Sequence, residues 1–444
     1  VVLSHIDQQP ELVKNLLDFR IRSKSVLFNN LSKTKQKINT LNDPGLFKKY
    51  EQLIAARENL GKYLSFETSA LPDAESRAQQ LKDDCDRLEK EISKSIDGST
   101  IEEPAVNWRQ IQKTLSPHEA AVEVVRTALI YDNNQGKGIN YTFLVIKSEG
   151  EPQVVSVDRP ENWETTVLAH YRRGISKKLP DGSIYARIWQ FLDKQLSDCH
   201  TLYVSPDGIY TQLNLNTLYN SAAGKYLLEE KKIHIIDHLR SIKTAKQNMP
   251  LPHNAVIAGN PQFSQIQQSP GKPAVQNLQR NAYGLILSEL PGTQTEAENI
   301  SSLLKSAGIQ TSVYTGSTAS EANIKKLSSP DILHMATHGF FLKNPDELTQ
   351  NGFNKLKKDH FQNPLLRCGL FFSGANTTFS LDTKNIAALD TLEDGVLTAF
   401  EAMNLNLEGT QLVVLSACET GLGEIKNSEG VFGLPRAFRL AGAN

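Results

Sequence analysis

The sequence predicts a mixed α/β fold preceded by long helices, and three observations support this prediction. From Leu290 onward, short apolar runs alternate with amphipathic helical patterns, as expected for a parallel sheet that helices cover on both faces. Two of the runs, Ile332–Ala336 and Gln411–Leu415, are almost continuously apolar, which is typical of strands buried on both sides. Before Ile96, apolar residues instead recur at helical spacing in a region rich in Leu, Lys, Glu and Gln.

The first 98 residues are predicted to form a helical segment that regulates the protein or docks partners. Turn residues at Asn42–Gly45 and Leu71–Asp73 divide this region into two or three antiparallel helices. The segment has the character of a coiled coil or a degenerate tetratricopeptide repeat, although the Trp, Gly and Tyr landmarks of that repeat are missing. The chain begins without Met, as a fragment of a longer protein would.

A second domain is predicted for residues 108–250, where short β-rich runs replace the helical pattern. Its predicted strands are Ala120–Tyr131, Tyr141–Lys147, Val154–Val157, Thr201–Ser205 and Ile233–Ile236, and its predicted helices are Trp163–Arg173 and Ala186–Gln195. The third domain, residues 251–444, contains the alternating pattern. Its predicted strands are Ala255–Ala258, Thr311–Tyr314, Asp331–Thr337 and Gln411–Ala417, and its predicted helices are Gln294–Ala307, Ser320–Leu327 and Val431–Leu440.

The charge and cysteine content exclude several classes of protein. Lys plus Arg total 48 against 49 for Asp plus Glu, so the net charge of −1 gives no field that would recruit nucleic acid or an anionic membrane. The four cysteines are scattered, without the close pairs of a zinc knuckle or a disulfide framework. The sequence start does not have the pattern of a secretory signal, and no apolar run has membrane-spanning length. We therefore expect a soluble protein of the reducing cytoplasm.

Two reactive side chains follow the ends of predicted parallel strands. His338 follows the run that ends at Ala336, and Cys418 follows the run that ends at Leu415. Because reactive groups of open parallel sheets collect beyond the carboxyl ends of the strands, these two residues are candidates for a nucleophile and its general base. A nearby imidazole lowers the pKa of a thiol and later protonates the leaving amine. The backbone N–H groups of Gly339 and Cys418 are candidates for an oxyanion hole.

Two other interpretations of these residues stay open at this point. A cysteine or a histidine at a strand end is commonly a buried structural residue. His334 and His338 also have the spacing that places two zinc ligands on one face of a helix, but residues four apart in a strand do not converge on one ion. We therefore expect no metal and no cofactor, and we expect His334 to pack beneath the sheet end.

Six segments, in order along the chain, resemble motifs of the CHAT domain. They are YVSPDG at 203–208, AGNP at 258–261, LPGTQTEAE at 290–298, ILHMATHG at 332–339, DGVLTA at 394–399 and LSACETG at 415–421. The resemblance spans roughly Trp108 to Asn444. Ordered motifs of this kind are far more specific than a single His and Cys pair.

The CHAT family belongs to the caspase and separase clan of cysteine peptidases, and its domains often follow tetratricopeptide repeats in bacterial proteins. The resemblance implies a caspase-like αβα sandwich in two parts: residues 108–250 as a degenerate half and residues 251–444 as the active half. It also implies His338 as the base and Cys418 as the nucleophile. Some relatives have an Asp two residues before the cysteine that receives a basic substrate side chain. Ser416 occupies that position here, so the motif indicates no such preference.

The function that we expect is therefore cleavage of a protein substrate through a thioacyl-enzyme. The isolated protein is expected to be latent until a regulatory protein or ribonucleoprotein binds the helical region and activates it, and the loops Leu342–Gln362 and Glu419–Asn427 are the expected moving parts. The main alternative is a CHAT-like scaffold that binds partners without catalysis. A zinc hydrolase that uses His334 and His338 is a more distant alternative.

Overall fold

The computed structural model describes residues 9–24, 37–38, 41, 43–65, 74–96, 106–130, 137–247, 249–264, 287–342, 363–379, 393–417, 424–426 and 430–443. Its α-helices are Pro10–Ser23, Pro44–Ser65, Ala74–Ile96, Trp108–Gln112, Trp163–Lys177, Gly182–Ile188, Asp193–Leu196, Leu227–Glu230, Ile242–Ala245, Pro291–Ser306, Glu321–Lys325, Ala375–Phe379, Ala399–Ala402 and Leu434–Leu440. Among these described helices, none combines the length and the apolarity that crossing a membrane requires.

The strands confirm the predicted mixed α/β class. They are β1 (Glu119–Ile130), β2 (Lys137–Lys147), β3 (Gln153–Pro160), β4 (Thr201–Ser205), β5 (Tyr219–Asn220), β6 (Lys225–Tyr226), β7 (Lys232–Ile235), β8 (Asn254–Pro261), β9 (Gln310–Gly316), β10 (Ile332–Ala336), β11 (Gly339–Phe341), β12 (Cys368–Phe371), β13 (Val396–Thr398), β14 (Leu412–Ser416), β15 (Glu424–Lys426) and β16 (Gly430–Phe432).

The chain divides into two compact units. The first comprises residues 1–29, 102–248 and 425–431, and the second comprises residues 30–101, 249–424 and 432–444. The helices before residue 98 therefore do not pack as one segment. Pro10–Ser23 belongs to the first unit, whereas Pro44–Ser65 and Ala74–Ile96 belong to the second, where they pack against each other as a hairpin. The functions expected of the three sequence domains stay predictions.

The first unit is built on a five-stranded sheet in the order β3-β2-β1-β4-β7. β1, β2 and β3 are antiparallel neighbours, and β4 and β7 run parallel to β1. Because side chains alternate along a strand, β1 places Val122 and Val124 on one face and Ala121 and Val125 on the other. Both sets are buried in separate apolar clusters. Helices therefore cover both faces of this sheet.

Helix Pro10–Ser23 is attached to this sheet by buried charges as well as by apolar packing. Arg20 places one guanidinium nitrogen 3.3 Å from Glu123 and 3.1 Å from Asp207. The ammonium of Lys24, at the end of the helix, lies 2.8 Å from Glu123 and donates to the Ser205 hydroxyl at 2.7 Å. Burial lowers the pKa of Lys24. These charges lie where the pairing of β1 with β4 ends.

The second unit contains the predicted parallel sheet. Its order is β14-β10-β8-β9, and every neighbouring pair is parallel. Helix Pro291–Ser306 packs on β8, β9 and β10. A smaller antiparallel sheet, β11-β12-β13, follows His338 and was not predicted. The predicted loops Leu342–Gln362 and Glu419–Asn427 lie mostly outside the described residues.

A buried cluster of charged residues joins the helix hairpin to the rest of the second unit. The Lys325 ammonium lies 2.6 Å from Glu321, 3.0 Å from Glu401 and 3.5 Å from Glu58 of the hairpin. Glu321 also accepts the N–H of Gly395, just before β13. Since Glu321 is 1% exposed, this ion pair is part of the interior. Burial raises the pKa of Glu321.

Candidate active site

The carboxyl ends of β10 and β14 lie side by side. The parallel register pairs His334 with Val414 and Ala336 with Ser416, which is the last pair of the two strands. The Thr337 N–H continues the contact by donating to the carbonyl of Ser416 at 3.3 Å. His338 comes two residues after Ala336. Cys418 comes two residues after Ser416 in sequence, and it lies outside the described residues.

The His338 side chain is fixed through one of its two ring nitrogens. Nε2 lies 2.9 Å from the carbonyl oxygen of Ser288. Since a carbonyl only accepts hydrogen bonds, Nε2 carries the proton and donates it, which leaves Nδ1 as the acceptor in the neutral ring. Phe263 supports the imidazole, with the ring centres 5.3 Å apart. This tautomer can accept a proton at Nδ1.

The backbone around His338 is held by the small antiparallel sheet. The Phe371 N–H donates to the His338 carbonyl at 2.9 Å, and the Thr337 hydroxyl donates to the Phe371 carbonyl. Phe371 and Phe340 are buried in the same apolar cluster as Phe263. The histidine therefore projects from a strand end that is packed and hydrogen-bonded, which restricts its backbone to one conformation.

The register of β11 directs the N–H of Gly339 away from β12. Gly339 is opposite Leu370. On one side of this pair the Phe371 N–H donates to the His338 carbonyl, and further along β11 the Leu342 N–H donates to the Arg367 carbonyl. In antiparallel pairs, hydrogen-bonded and non-hydrogen-bonded positions alternate, so Gly339 occupies a non-hydrogen-bonded position. Its N–H is thus not used for pairing with β12.

His334 binds a carboxylate that sequence reasoning did not assign to the site. Its Nε2 lies 2.9 Å from Oε1 of Glu296, and Oε2 of Glu296 accepts the Ser416 hydroxyl at 3.2 Å. The imidazole is buried, as expected. Since His334 and His338 bind different partners through Nε2, they do not converge on one position. Among the residues that the structure describes, no three His, Cys, Asp or Glu side chains form a metal-binding group.

Two contacts of this candidate site could not be found from sequence patterns. Glu296 lies in the LPGTQTEAE segment, whose order along the chain was informative, but nothing in the letters connects it with Ser416. Ser288 contributes a backbone carbonyl, which any residue can supply.

The three cysteines that the structure describes are buried and free. Burial raises the pKa of Cys85 to about 11 and that of Cys368 to about 12, and it also raises the pKa of Cys199. Cys85 packs with Leu53 and Leu88 inside the helix hairpin. None of these thiols has the character of a nucleophile.

A profile of the CHAT domain matches residues 181–444, more than half of the chain. The chain belongs to the CHAT domain family. A comparison of the sequence with curated proteins gives no significant match. The CHAT region includes β4 and all strands that follow it, so the paired ends of β10 and β14 lie within the match, whereas β1, β2 and β3 precede it. CHAT domains are related to the caspase-like cysteine peptidases.

Proposed function

We propose that this CHAT protein is a cysteine endopeptidase in which Cys418 is the nucleophile and His338 the general base. The observation that carries the proposal is the register of β10 and β14. The two residues follow the last pair, Ala336 and Ser416, by the same number of positions. Because neighbouring parallel strands are about 4.8 Å apart, residues at equivalent positions beyond their ends are within reach of each other.

In the proposed reaction, Nδ1 of His338 accepts the thiol proton of Cys418, and the thiolate attacks the carbonyl carbon of the substrate. The N–H groups of Gly339 and Cys418 donate to the resulting oxyanion. When the C–N bond breaks, His338 returns the proton to the leaving amine. Water then attacks the thioester, His338 accepts the proton of the water, and the thiol is restored as the carboxylic acid product leaves.

We further propose a caspase-like αβα sandwich whose first half is inactive. The mixed sheet of the first unit, covered by helices on both faces, supports this architecture. At the end of β4, the ammonium of Lys24 and the guanidinium of Arg20 occupy the position where an active half would have reactive side chains. Such paired buried charges are suited to a structural role.

The helix hairpin is the proposed docking surface for a regulatory protein or ribonucleoprotein. Its exposed side contains acidic residues such as Asp86 and basic residues such as Arg87 and Lys90. Its opposite side contacts the body of its own unit through Glu58 and Tyr50.

Arg87→Glu together with Lys90→Glu should abolish activation by such a partner. The midpoint of thermal unfolding should fall only slightly, because the ion pairs of Arg87 with Asp84 and Glu91 are exposed. Unchanged activation in this variant would contradict the docking role.

The free thiols of the described cysteines support action in a reducing compartment, and we propose the cytoplasm.

The function itself is tested by identifying new protein N-termini in cells that express the wild type or Cys418→Ala. Cleavage products present only with the wild type are expected. Identical termini in both cultures would support the non-catalytic scaffold instead. Loss of cleavage with a chelator but not with iodoacetamide would point to a zinc hydrolase.

A further inference from the structure

Helix Pro291–Ser306 brings a carboxylate to the carboxyl ends of the parallel strands. The helix begins so close to β8 that a Cβ atom at Gly259 would lie 2.6 Å from the Thr293 carbonyl oxygen. The Asn260 N–H donates to the Thr293 hydroxyl at 2.7 Å and fixes this approach. Glu296, one turn further along the helix, then reaches both Ser416 at the end of β14 and His334 in β10.

The carboxylate of Glu296 retains room and charge for another ligand. Its side chain is 33% exposed, although its contacts hold it in place. In the described part of the chain, no lysine or arginine pairs with it. Its donors are an imidazole and a hydroxyl, neither of which carries a permanent positive charge. A carboxylate has more acceptor positions than these two donors occupy.

This position suits the side chain of the substrate residue whose carbonyl is attacked. Ser416 precedes the proposed nucleophile by two residues, and two residues of chain span at most about 7 Å even when fully extended. Once the carbonyl carbon is bonded to the thiol, the side chain on the adjacent carbon must lie within a few ångströms. A lysine or arginine side chain is long enough to reach the carboxylate from there.

We propose that Glu296 is a specificity-determining residue, which binds a lysine or arginine of the protein substrate immediately before the cleaved bond. The inference rests on the proposed peptidase function. Ser416 itself carries no charge. The anionic group is the carboxylate of Glu296 on the helix, and Ser416 and His334 orient it. A charge-assisted hydrogen bond of this kind favours the basic residue by roughly 10- to 150-fold.

The test uses four fluorogenic peptides that differ only in having Arg, Lys, Gln or Leu before the cleaved bond. For the full chain, kcat/KM should be at least about tenfold higher with Arg and Lys. Glu296→Gln keeps an oxygen that accepts hydrogen bonds but removes the charge, so the ratio of kcat/KM for the Arg and Lys peptides to kcat/KM for the Leu peptide should fall to about one. Glu298→Gln, an exposed residue of the same helix, is the matched control and should retain the preference.

A wild-type preference for Gln or Leu would overturn the inference, and so would an equal loss for all four peptides in Glu296→Gln. If no peptide is cleaved, the peptidase function has failed under these conditions, and a second measurement decides the inference alone. Cationic and anionic methanethiosulfonates each form a mixed disulfide with Cys418 and release methanesulfinate. Glu296→Gln should lower the ratio of the cationic to the anionic rate several-fold. An unchanged ratio would overturn the role of Glu296.

Discussion

Ala336 and Ser416 form the last pair between β10 and β14, and the Thr337 N–H still donates to the carbonyl of Ser416 beyond that pair. Parallel strands that remain paired up to their ends hold those two ends side by side. This relationship gives the His338 and Cys418 hypothesis its geometric basis, and it leads to the first prediction.

Single replacements of the two proposed catalytic residues should have non-additive effects. Cys418→Ala should abolish peptide cleavage, and His338→Ala should lower kcat/KM by about 10²- to 10⁴-fold, because the thiol then has no base. Since the two groups act as a unit, His338→Ala should cost nothing further once Cys418 is absent. Kinetics of the two single variants and the double variant measure this, with circular dichroism as the control for folding. Undiminished cleavage by Cys418→Ala would end the hypothesis.

Cys418 should be the first of the four cysteines to be alkylated. The other three are buried, and burial raises the pKa of each, so their thiolate fractions at neutral pH are very small. Brief labelling with iodoacetamide followed by peptide mass spectrometry measures the order. His338→Ala should slow the labelling of Cys418 and leave the other three unchanged. Earlier labelling of Cys199 or Cys368 would contradict the assignment.

The contribution of Asp394 to the free energy of unfolding should fall as pH rises from about 4 to 7. Burial, with a smaller contribution from the charge of Glu401, raises the pKa of Asp394 from 3.8 to about 7. In this interval the folded state keeps a proton that the unfolded state has lost, so deprotonation favours unfolding. Asp394→Asn should therefore flatten the pH dependence measured by urea unfolding between pH 5 and 7.

Asn can still accept the Val396 N–H at the position of the Asp394 oxygen, so the variant tests the charge rather than the hydrogen bond. A smaller slope of unfolding free energy against pH should remain in Asp394→Asn, because the pKa of Glu321 is also raised. Glu393→Gln is the matched control. Glu393, like Glu321, contacts Lys325, but its side chain is 47% exposed. A slope that Asp394→Asn leaves unchanged would contradict the prediction.

Lys24→Met should destabilise the first unit by about 3–5 kcal/mol, because it leaves the carboxylate of Glu123 buried with one fewer cationic partner. Chemical unfolding monitored by tryptophan fluorescence measures the loss. Lys14→Met is the control on the same helix and should change stability little, since its partners Glu11 and Glu151 are exposed. Equal effects of the two substitutions would show that the Lys24 contacts are not buried in solution.

The sequence was sufficient to predict the bounds of β10 and β14, which the structure contains within a residue or two of the predicted ones. β10 is buried beyond its first residue, as its apolar sequence predicts. The burial predicted for β14 was wrong, because Leu412 is 49% exposed and the rest of the strand is half-buried. The predicted helix Ala186–Gln195 was less accurate. The structure ends one helix at Ile188 and begins another at Asp193. The apolar sequence between them contains no Gly or Pro, so nothing in it indicates a break.

Features that depend on tertiary partners could not be predicted. Strands β11 and β13 are three residues long, too short to show a period of two. The basic residues Arg20 and Lys24 fit a solvated helix end in sequence, and only the fold shows that Glu123 and Asp207 make them buried. The same limit applies to the site, where the motif letters predicted His338 but not the carbonyl that selects its tautomer.

The CHAT profile starts at residue 181, but the sheet of the first unit takes three strands from residues before that point. A fragment cloned from the family boundary would contain β4 and β7 without β1. Strand β4 would then present an open edge, which is a template for aggregation, and Asp207 would lose the guanidinium of Arg20. The shortest gene segment that preserves this unit therefore has to begin upstream of Pro10.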